Sequence, residues 1–401
     1  MVRLMHNILS SKGFPRRFLS LNVTRFQAIG GIQIVLFSLV ATSFSAIPEP
    51  LLPTEVIRFR EVLKRTGLNR ADYETNERGY YEALLETNRS LGSLAQTPNE
   101  PPSEVMNMHL AEVATRPVMN TNDIREYVLK PSVATFAYGT RWETNSLGLR
   151  DREYPKDKPD NTLRIALLGD SIACGWGVTR NERFEELWET RLNQETGDGQ
   201  SVEVWNFSVP GHSPGARWKH FKTAGKDTEF DLMVYEATTS DPGWDAHRLA
   251  YLLTKGLGSD DPLYAETLKK TGVQATASRT ENRDALLPWS WTIVEGVYQH
   301  IVESCHKRSL PVAFVLIPRV GANLSKSEKR ALLAKAHSSG FDLVVDLSDV
   351  YDGQNQDELA IAPGDYHPNV LGHQLIAKSW ADQLAQWPEL QSRLKSSGKA
   401  P

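Results

Sequence analysis

A serine stands where an apolar segment ends, in the stretch LLGDSIACGWGV from Leu167 to Val178. A serine placed between a strand end and a helix N-terminus can attack a carbonyl carbon, and its own N–H can bind the oxyanion that forms. Serine is also one of the best N-capping residues. Ser171 is therefore either a nucleophile or a helix cap, and the choice depends on what the rest of the chain supplies.

A candidate base for this serine lies near the C-terminus, in the stretch GDYHPNVLGH at residues 364–373. A nucleophilic serine needs a base, and the base needs a carboxylate that orients it. His367 and Asp365 lie together before a predicted helix and could supply both. A lone histidine is usually a satisfied structural residue, but the Asp-x-His-Pro-Asn setting favours function. Other acids of the chain remain alternatives for orienting His367.

A glycine follows a second apolar segment, in NFSVPGHS at residues 206–213. Because Gly211 has no side chain, a substrate can approach its backbone N–H closely, which makes that group a candidate oxyanion donor. A glycine after a proline is also ordinary in turns, so this residue alone is a weak indication of function.

The elements that must position these residues alternate in kind. Amphipathic helical patterns lie between or after five apolar segments of β type, at residues 164–168, 202–206, 231–236, 312–317 and 342–346. Strands that are apolar on both faces and separated by helices predict a parallel sheet covered on both sides. Functional residues of such folds lie at the carboxyl ends of the strands, where Ser171 and Gly211 are expected.

The overall composition excludes some classes of function. A net charge of −4 over 401 residues implies no basic face, so we expect no nucleic-acid partner. The two cysteines, Cys174 and Cys305, have neither a CxxC pattern nor metal-ligand spacing. We expect them to be small buried hydrophobic residues, and we expect no metal site.

The N-terminal segment has the pattern of a targeting signal. Residues 1–27 carry five basic residues and no acid, and residues 28–47 are uncharged. This pattern predicts a secretory signal or a signal anchor over residues 1–47, with a membrane contact through 28–47. The following domains would then be exported to the periplasm or the cell envelope. Residues 48–160 are predicted to form an accessory region of helices and a small β element, and residues 161–395 the main domain.

The motifs of the main domain, taken in order, resemble those of the SGNH hydrolases, also called the GDSL-type esterase/lipase family. The resemblance covers about residues 161–388, and the lead-in TNSLGLRDREY is similar to an exported bacterial subgroup. Ser171 matches the nucleophile block, Gly211 the glycine block, and His367 with Asp365 the terminal block. The resemblance implies a flavodoxin-like three-layer α/β/α fold, no cofactor, and ester hydrolysis through an acyl-serine or, in some members, acyl transfer.

Two positions depart from the family pattern. The third block normally reads Gly-x-Asn-Asp, with the asparagine as an oxyanion donor, whereas residues 238–241 read Thr-Thr-Ser-Asp. Ser240 would have to donate its hydroxyl instead, and loss of one donor costs about 100- to 1000-fold in rate. The common acid spacing is Asp-x-x-His, but Asp365 stands two residues before His367 and position 364 is glycine.

Three more residues at strand ends are candidates for contact with substrate. Asp241 and Trp244 follow the third predicted strand, where a polar turn that caps a helix is the alternative. Arg319 follows the fourth strand and could bind an anionic group, although a surface ion pair is the commoner role.

The residues together predict a serine esterase that removes O-acyl groups from an extracytoplasmic glycan or lipid. One alternative is an O-acyltransferase that uses the same triad to modify a polysaccharide. The other is a non-catalytic binding module of the same fold, which only the missing asparagine of the third block supports.

Overall fold

The computed structural model describes residues 117–137, 140–196, 199–257, 262–273, 278–321, 325–362 and 365–396. The predicted signal or anchor segment, 1–47, and the part of the accessory region before residue 117 lie outside the described residues. Within the described ranges, no helix is long and apolar enough to cross a membrane.

Two short antiparallel strand pairs precede the main domain. The first joins β1 (Val118–Asn120) to β2 (Tyr127–Leu129), and the second joins β3 (Ala134–Ala137) to β4 (Thr140–Glu143). Trp142 of β4 is fully buried and packs with Cys174 and Val209. The strand pairs therefore rest on the segments that follow the first two strands of the main domain.

The main domain is built on a parallel five-stranded sheet. Its strands are β5 (Thr162–Leu168), β6 (Ser201–Asn206), β7 (Leu232–Ala237), β8 (Val312–Leu316) and β9 (Leu343–Asp346). The spatial order is β6-β5-β7-β8-β9. Every strand lies within two residues of its predicted segment, and the predicted five-stranded parallel sheet is confirmed.

Strand side chains alternate between the two faces of the sheet, so each face carries its own apolar core. Along β5, Leu163, Ile165 and Leu167 belong to one core, and Ala166 and Leu168 belong to the other. Because both cores are closed by helices, the sheet is the middle layer of three, and the predicted α/β/α fold is confirmed.

The helices connect the strands and cover both faces. Their bounds are α1 Ser171–Cys174, α2 Phe184–Thr196, α3 Pro214–Ala224, α4 Asp241–Thr254, α5 Pro262–Thr271, α6 Arg279–Leu286, α7 Ser290–His306, α8 Lys326–Ser339, α9 Val370–Leu384 and α10 Pro388–Ser396. Helices α2, α9 and α10 cover one face, and helices α3 to α8 cover the other.

The strand order places a switch point at β5, which has β6 on one side and β7 on the other. The connections that leave the carboxyl ends of these strands diverge there, and open α/β sheets bind their ligands in the resulting crevice. Ser171 follows β5, Gly211 follows β6 and Ser240 follows β7. The topology therefore brings the segments of all three residues to one edge of the sheet.

Candidate active site

Ser171 is the first residue of α1, directly after the turn that leaves β5. The N-cap of this helix is Asp170, whose carboxylate accepts the N–H of Ile172 at 3.1 Å. Ser171 is 1% exposed, and its Oγ lies 2.7 Å from Nε2 of His367. The capping role thus belongs to Asp170, and the hydroxyl of Ser171 is committed to the histidine.

The histidine and its acid form a compact turn before α9. Nδ1 of His367 lies 2.6 Å from Oδ1 of Asp365, and the same oxygen accepts the backbone N–H of His367 at 2.8 Å. Two bonds to one oxygen fix both the ring and the backbone of His367. The structure therefore brings together the three residues that the sequence proposes as a triad, with Asp365 as the orienting acid.

The electrostatics of this turn favour an ionised Asp365. Burial acts to raise the pKa of Asp365, but the hydrogen bonds and the charge interaction with His367, together with a smaller effect of the charge of Arg319, outweigh it and hold the pKa below its ordinary value. A carboxylate can only accept hydrogen bonds, so Nδ1 of His367 carries a proton. In the neutral ring, Nε2 is then an acceptor for the hydroxyl of Ser171.

Arg319 follows β8 and lies close enough to this turn for its charge to act on Asp365. It is 6% exposed, and its charge helps to lower the pKa of Asp365. The adjoining Val320 donates its N–H to the carbonyl of Tyr366 at 3.0 Å, which joins the end of β8 to the histidine turn. The low exposure of Arg319 contradicts the alternative of a surface ion pair, and a contact between Arg319 and an anionic group of the substrate stays a prediction.

The loop that carries Gly211 is held on both sides of the glycine. Gly211 has a φ of +72°, a conformation in which a side chain would be strained. Tyr127 of β2 donates its hydroxyl to the carbonyl of Pro210, and its own carbonyl accepts a hydrogen bond from Nε2 of His212 at 2.8 Å. Arg248 of α4 donates to the carbonyl of Gly211. The first strand pair therefore supports a candidate oxyanion donor.

The third block forms a turn after β7 in which neighbouring residues have opposite environments. Ser240 is half-buried, and its hydroxyl makes no capping bond to α4. Asp241 is fully buried, and its Oδ2 accepts the hydroxyls of Tyr235 at 2.9 Å and Tyr298 at 2.8 Å. The expectation that Asp241 contacts substrate is therefore wrong, because its carboxylate is already occupied inside the protein.

Trp244 lies one turn further along α4. Its ring is half-buried, with the centroid 6.2 Å from that of His247. This position leaves part of the indole exposed, and a contact between Trp244 and substrate remains a prediction.

Three residues at the site were not identified from the sequence. Trp176 stacks on the ring of His367 with centroids 5.4 Å apart and an interplanar angle of 27°. Glu236 of β7 accepts the N–H of Asp170 at 2.8 Å, and burial, followed by the nearby Asp170, raises its pKa well above the ordinary value. Arg217 of α3 is fully buried. Trp176 lies in the quoted GWG stretch, but the other two give no local signal.

The two cysteines are both buried, as expected, and neither is in a disulfide. Burial raises the pKa of Cys174 to about 12 and that of Cys305 to about 12. Although Cys174 lies only three residues after Ser171, its thiol stays protonated and is a packing group.

Comparison with known proteins identifies the family. A sequence model of the GDSL-like Lipase/Acylhydrolase family matches residues 167–375, just over half of the chain. Similar solved structures include the psychrotrophic esterase EstA from Pseudoalteromonas sp. (15% identity, TM-score 0.36, covering 57% of this chain and 98% of that chain). Another is the acetylxylan esterase Axe2 from Geobacillus stearothermophilus (15% identity, TM-score 0.36, covering 56% and 95%). No curated protein matches the sequence. The chain belongs to the GDSL-like lipase/acylhydrolase family and is an ester hydrolase.

Proposed function

We propose that the chain hydrolyses acyl esters through an acyl intermediate on Ser171, with His367 as the general base and Asp365 as the orienting acid. The observation that carries the proposal is the unbroken pair of short contacts, 2.7 Å from Ser171 to His367 and 2.6 Å from His367 to Asp365. A nucleophile, a base and an orienting group within hydrogen-bond reach are the arrangement that activates a serine.

The reaction runs in two halves. Nε2 of His367 takes the hydroxyl proton while Oγ of Ser171 bonds to the carbonyl carbon, and the carbonyl oxygen becomes an oxyanion. The intermediate then expels the alcohol, which receives the proton from His367. Water next attacks the acyl-serine, gives a proton to His367, and the carboxylic acid leaves as Ser171 regains its proton.

The oxyanion is stabilised in this proposal by the N–H groups of Ser171 and Gly211 and by the hydroxyl of Ser240. Two observations support the roles of Gly211 and Ser240 as donors. Gly211 has a positive φ, and the half-buried Ser240 does not use its hydroxyl to cap α4. A hydroxyl in place of the family's asparagine still offers one donor, although it can rotate and is less preorganised.

We propose an O-acylated glycan or lipid outside the inner membrane as the substrate. The support is the basic, acid-free segment 1–27 followed by the uncharged segment 28–47, which directs such chains to the cell envelope or anchors them in the membrane. Fractionation of cells that express the full chain tests the location, and recovery from the cytosol contradicts it.

The esterase activity is tested with p-nitrophenyl acetate and with a fluorophosphonate probe that labels active serines. Wild type is expected to turn over the ester and to be labelled at Ser171, and Ser171→Ala is expected to lose both. The matched control is Ser325→Ala, because Ser325 caps α8 and only stability, by about 1 kcal/mol, should respond.

Two results would redirect the proposal. Equal turnover by wild type and Ser171→Ala contradicts the serine mechanism, and an unlabelled but folded wild type points to a binding module. Addition of a sugar alcohol separates hydrolysis from acyl transfer, because a transferase forms the sugar ester at the expense of free acetate.

A further inference from the structure

We propose that Arg217 is a positioning residue that holds the oxyanion donors of this site in a common geometry. The inference rests on the proposed esterase function. Arg217 lies in the first turn of α3, six residues after Gly211, and is fully buried. A buried arginine is costly unless its guanidinium is paired, so its contacts indicate what the protein gains from it.

The guanidinium of Arg217 contacts the three segments that follow β5, β6 and β7. Its Nε donates to the carbonyl of His212 at 3.0 Å. Its Nη2 lies 3.4 Å from Oδ2 of Asp170 and 3.1 Å from Oδ1 of Asp241. One rigid group therefore joins the turn that precedes Ser171, the loop that carries Gly211 and the turn that carries Ser240.

The three contacted residues are the immediate neighbours of the three proposed oxyanion donors. Asp170 precedes Ser171, His212 follows Gly211, and Asp241 follows Ser240. The contact at His212 is to its backbone carbonyl, and the contacts at Asp170 and Asp241 are to their carboxylates. Arg217 thus acts on each donor through the residue next to it, without being placed in contact with the substrate.

The second edge of the guanidinium is anchored to the sheet. Nη1 of Arg217 donates to the carbonyl of Glu236 at 2.8 Å and to the hydroxyl of Tyr235 at 3.0 Å. Both residues belong to β7, so the group that joins the loops is itself fixed to the central layer. The side chain of Glu236 in turn accepts the N–H of Asp170 at 2.8 Å, which adds a second tie to the nucleophile turn.

This set of contacts requires the planar fork of an arginine. Lysine presents a single ammonium on a flexible chain and cannot contact all the oxygen atoms that surround the edge of the planar guanidinium. Arg217→Lys keeps the positive charge that Asp170 and Asp241 need but gives up part of the cross-connection. We therefore expect Arg217→Lys to displace the oxyanion donors while the buried charges remain balanced.

Arg164 provides a matched control for the cost of changing a buried arginine. It is also fully buried and donates to Oε2 of Glu203 at 2.7 Å and to the carbonyl of Pro155 at 2.6 Å. It lies near the amino end of β5, however, and the candidate site lies beyond the carboxyl end. Arg164→Lys is expected to lower stability without changing the chemistry.

The test measures kcat and KM with p-nitrophenyl acetate and the affinity for an aryl trifluoromethyl ketone, which forms a tetrahedral adduct with an active serine. Arg217→Lys is expected to lower kcat by about 10- to 100-fold, with KM within about threefold, because a misplaced donor acts mainly on the transition state. Ketone affinity should fall in parallel with kcat. Arg164→Lys should leave all three values within about twofold at a temperature where each variant is folded.

Each outcome decides the inference. An active wild type with unchanged kcat and ketone affinity in Arg217→Lys overturns the positioning role alone. Equal losses in Arg217→Lys and Arg164→Lys also overturn it, because both effects are then due to folding. If neither Arg217→Lys nor Arg217→Gln folds while Arg164→Lys does, Arg217 is a folding determinant and the inference fails. An inactive, unlabelled wild type removes the esterase proposal and the inference with it.

Discussion

The two halves of the candidate active site are built in different ways. The proton-transfer half consists of Ser171, His367 and Asp365, and two of these residues share one short turn in which both the ring and the backbone of His367 bond to Asp365. The oxyanion half is spread over the segments after β5, β6 and β7, and the buried Arg217 joins them. Within the first half the His367–Asp365 pair is local, and one tertiary contact joins it to Ser171, whereas the second half depends on tertiary contacts throughout.

Two carboxyl groups near the site have pKa values that are shifted in opposite directions. Hydrogen bonds and the charge interaction with His367, together with a smaller effect of the charge of Arg319, overcome burial and lower the pKa of Asp365. Burial raises the pKa of Asp245, a carboxyl group of α4 beside the start of α3, to about 6 despite its bonds to Ser213 and Gly215. The surroundings of Asp365 therefore stabilise its ionised form, whereas burial disfavours the ionised form of Asp245.

Apart from the loss of the nucleophile itself, the largest effect on the proton-transfer half is expected from Asp365→Ala. Without the carboxylate, His367 loses the partner that fixes both its tautomer and its backbone, and kcat for p-nitrophenyl acetate should fall by about 10³- to 10⁴-fold. The control is Asp357→Ala, an exposed acid on the neighbouring short helix Gln356–Glu358, which should leave kcat unchanged. A loss of less than about tenfold would show that another acid orients His367.

On the oxyanion half, Gly211→Ala is expected to lower kcat by about 100-fold. A side chain at a φ of +72° costs about 1–2 kcal/mol, and the loop can relieve this strain by rotating the peptide that carries the proposed donor. Gly353→Ala is the control, because Gly353 has a φ of +75° and open space around it. It should lose similar stability, measured by urea unfolding, with no change in kcat.

If Gly211→Ala and Gly353→Ala have the same kcat as wild type, the Gly211 N–H is not a donor. The oxyanion half would then comprise only the segments of Ser171 and Ser240.

A smaller effect is expected from Ser240→Ala, which should lower kcat by about tenfold. Ser240 offers a single rotatable hydroxyl in a half-buried turn, so its loss should cost less than the loss of the family's fixed amide donor. Thr239→Val, which removes the neighbouring hydroxyl at similar exposure, is the control. An effect of Thr239→Val larger than that of Ser240→Ala would reassign the donor to Thr239.

The sequence was sufficient for the fold and for the His367–Asp365 pair because both leave a pattern in neighbouring residues. Strands buried on both faces have few polar positions, as in β5, where Ile165, Ala166 and Leu167 are all fully buried. Asp365 and His367 are two residues apart, so their contact depends on one turn. The pairing of His367 with Ser171, 196 residues away, was predicted only by the resemblance to the SGNH hydrolases.

The sequence was not sufficient for side-chain direction at the strand ends. Asp241 follows a strand, as expected of a substrate-contacting residue, yet its side chain points into the protein toward Tyr298. Position at a strand end predicts which edge of the sheet a residue occupies, but packing decides which way it points. Arg217 was not predicted either, because no local sequence pattern distinguishes a buried arginine of a helix from an exposed one.

The smallest expected effect concerns stability and compares Asp245 with Asp365. The folded pKa of Asp245 is about 6 and its ordinary value is 3.8, so between these pH values the folded state holds a proton that the unfolded state has lost. The stability that Asp245 contributes is therefore fully present below about pH 4 and declines as pH rises to about 6, by about 3 kcal/mol in all.

Asp245→Asn should remove this decline, so its unfolding free energy relative to wild type should rise by that amount between pH 4 and pH 7. Asp365→Asn should show no such rise, because a lowered pKa contributes stability that is complete above about pH 4 and is lost only below it. Urea unfolding of the three proteins across this range checks the contrast, and parallel curves for wild type and Asp245→Asn would show that the carboxyl of Asp245 is as well stabilised in the folded protein as that of Asp365.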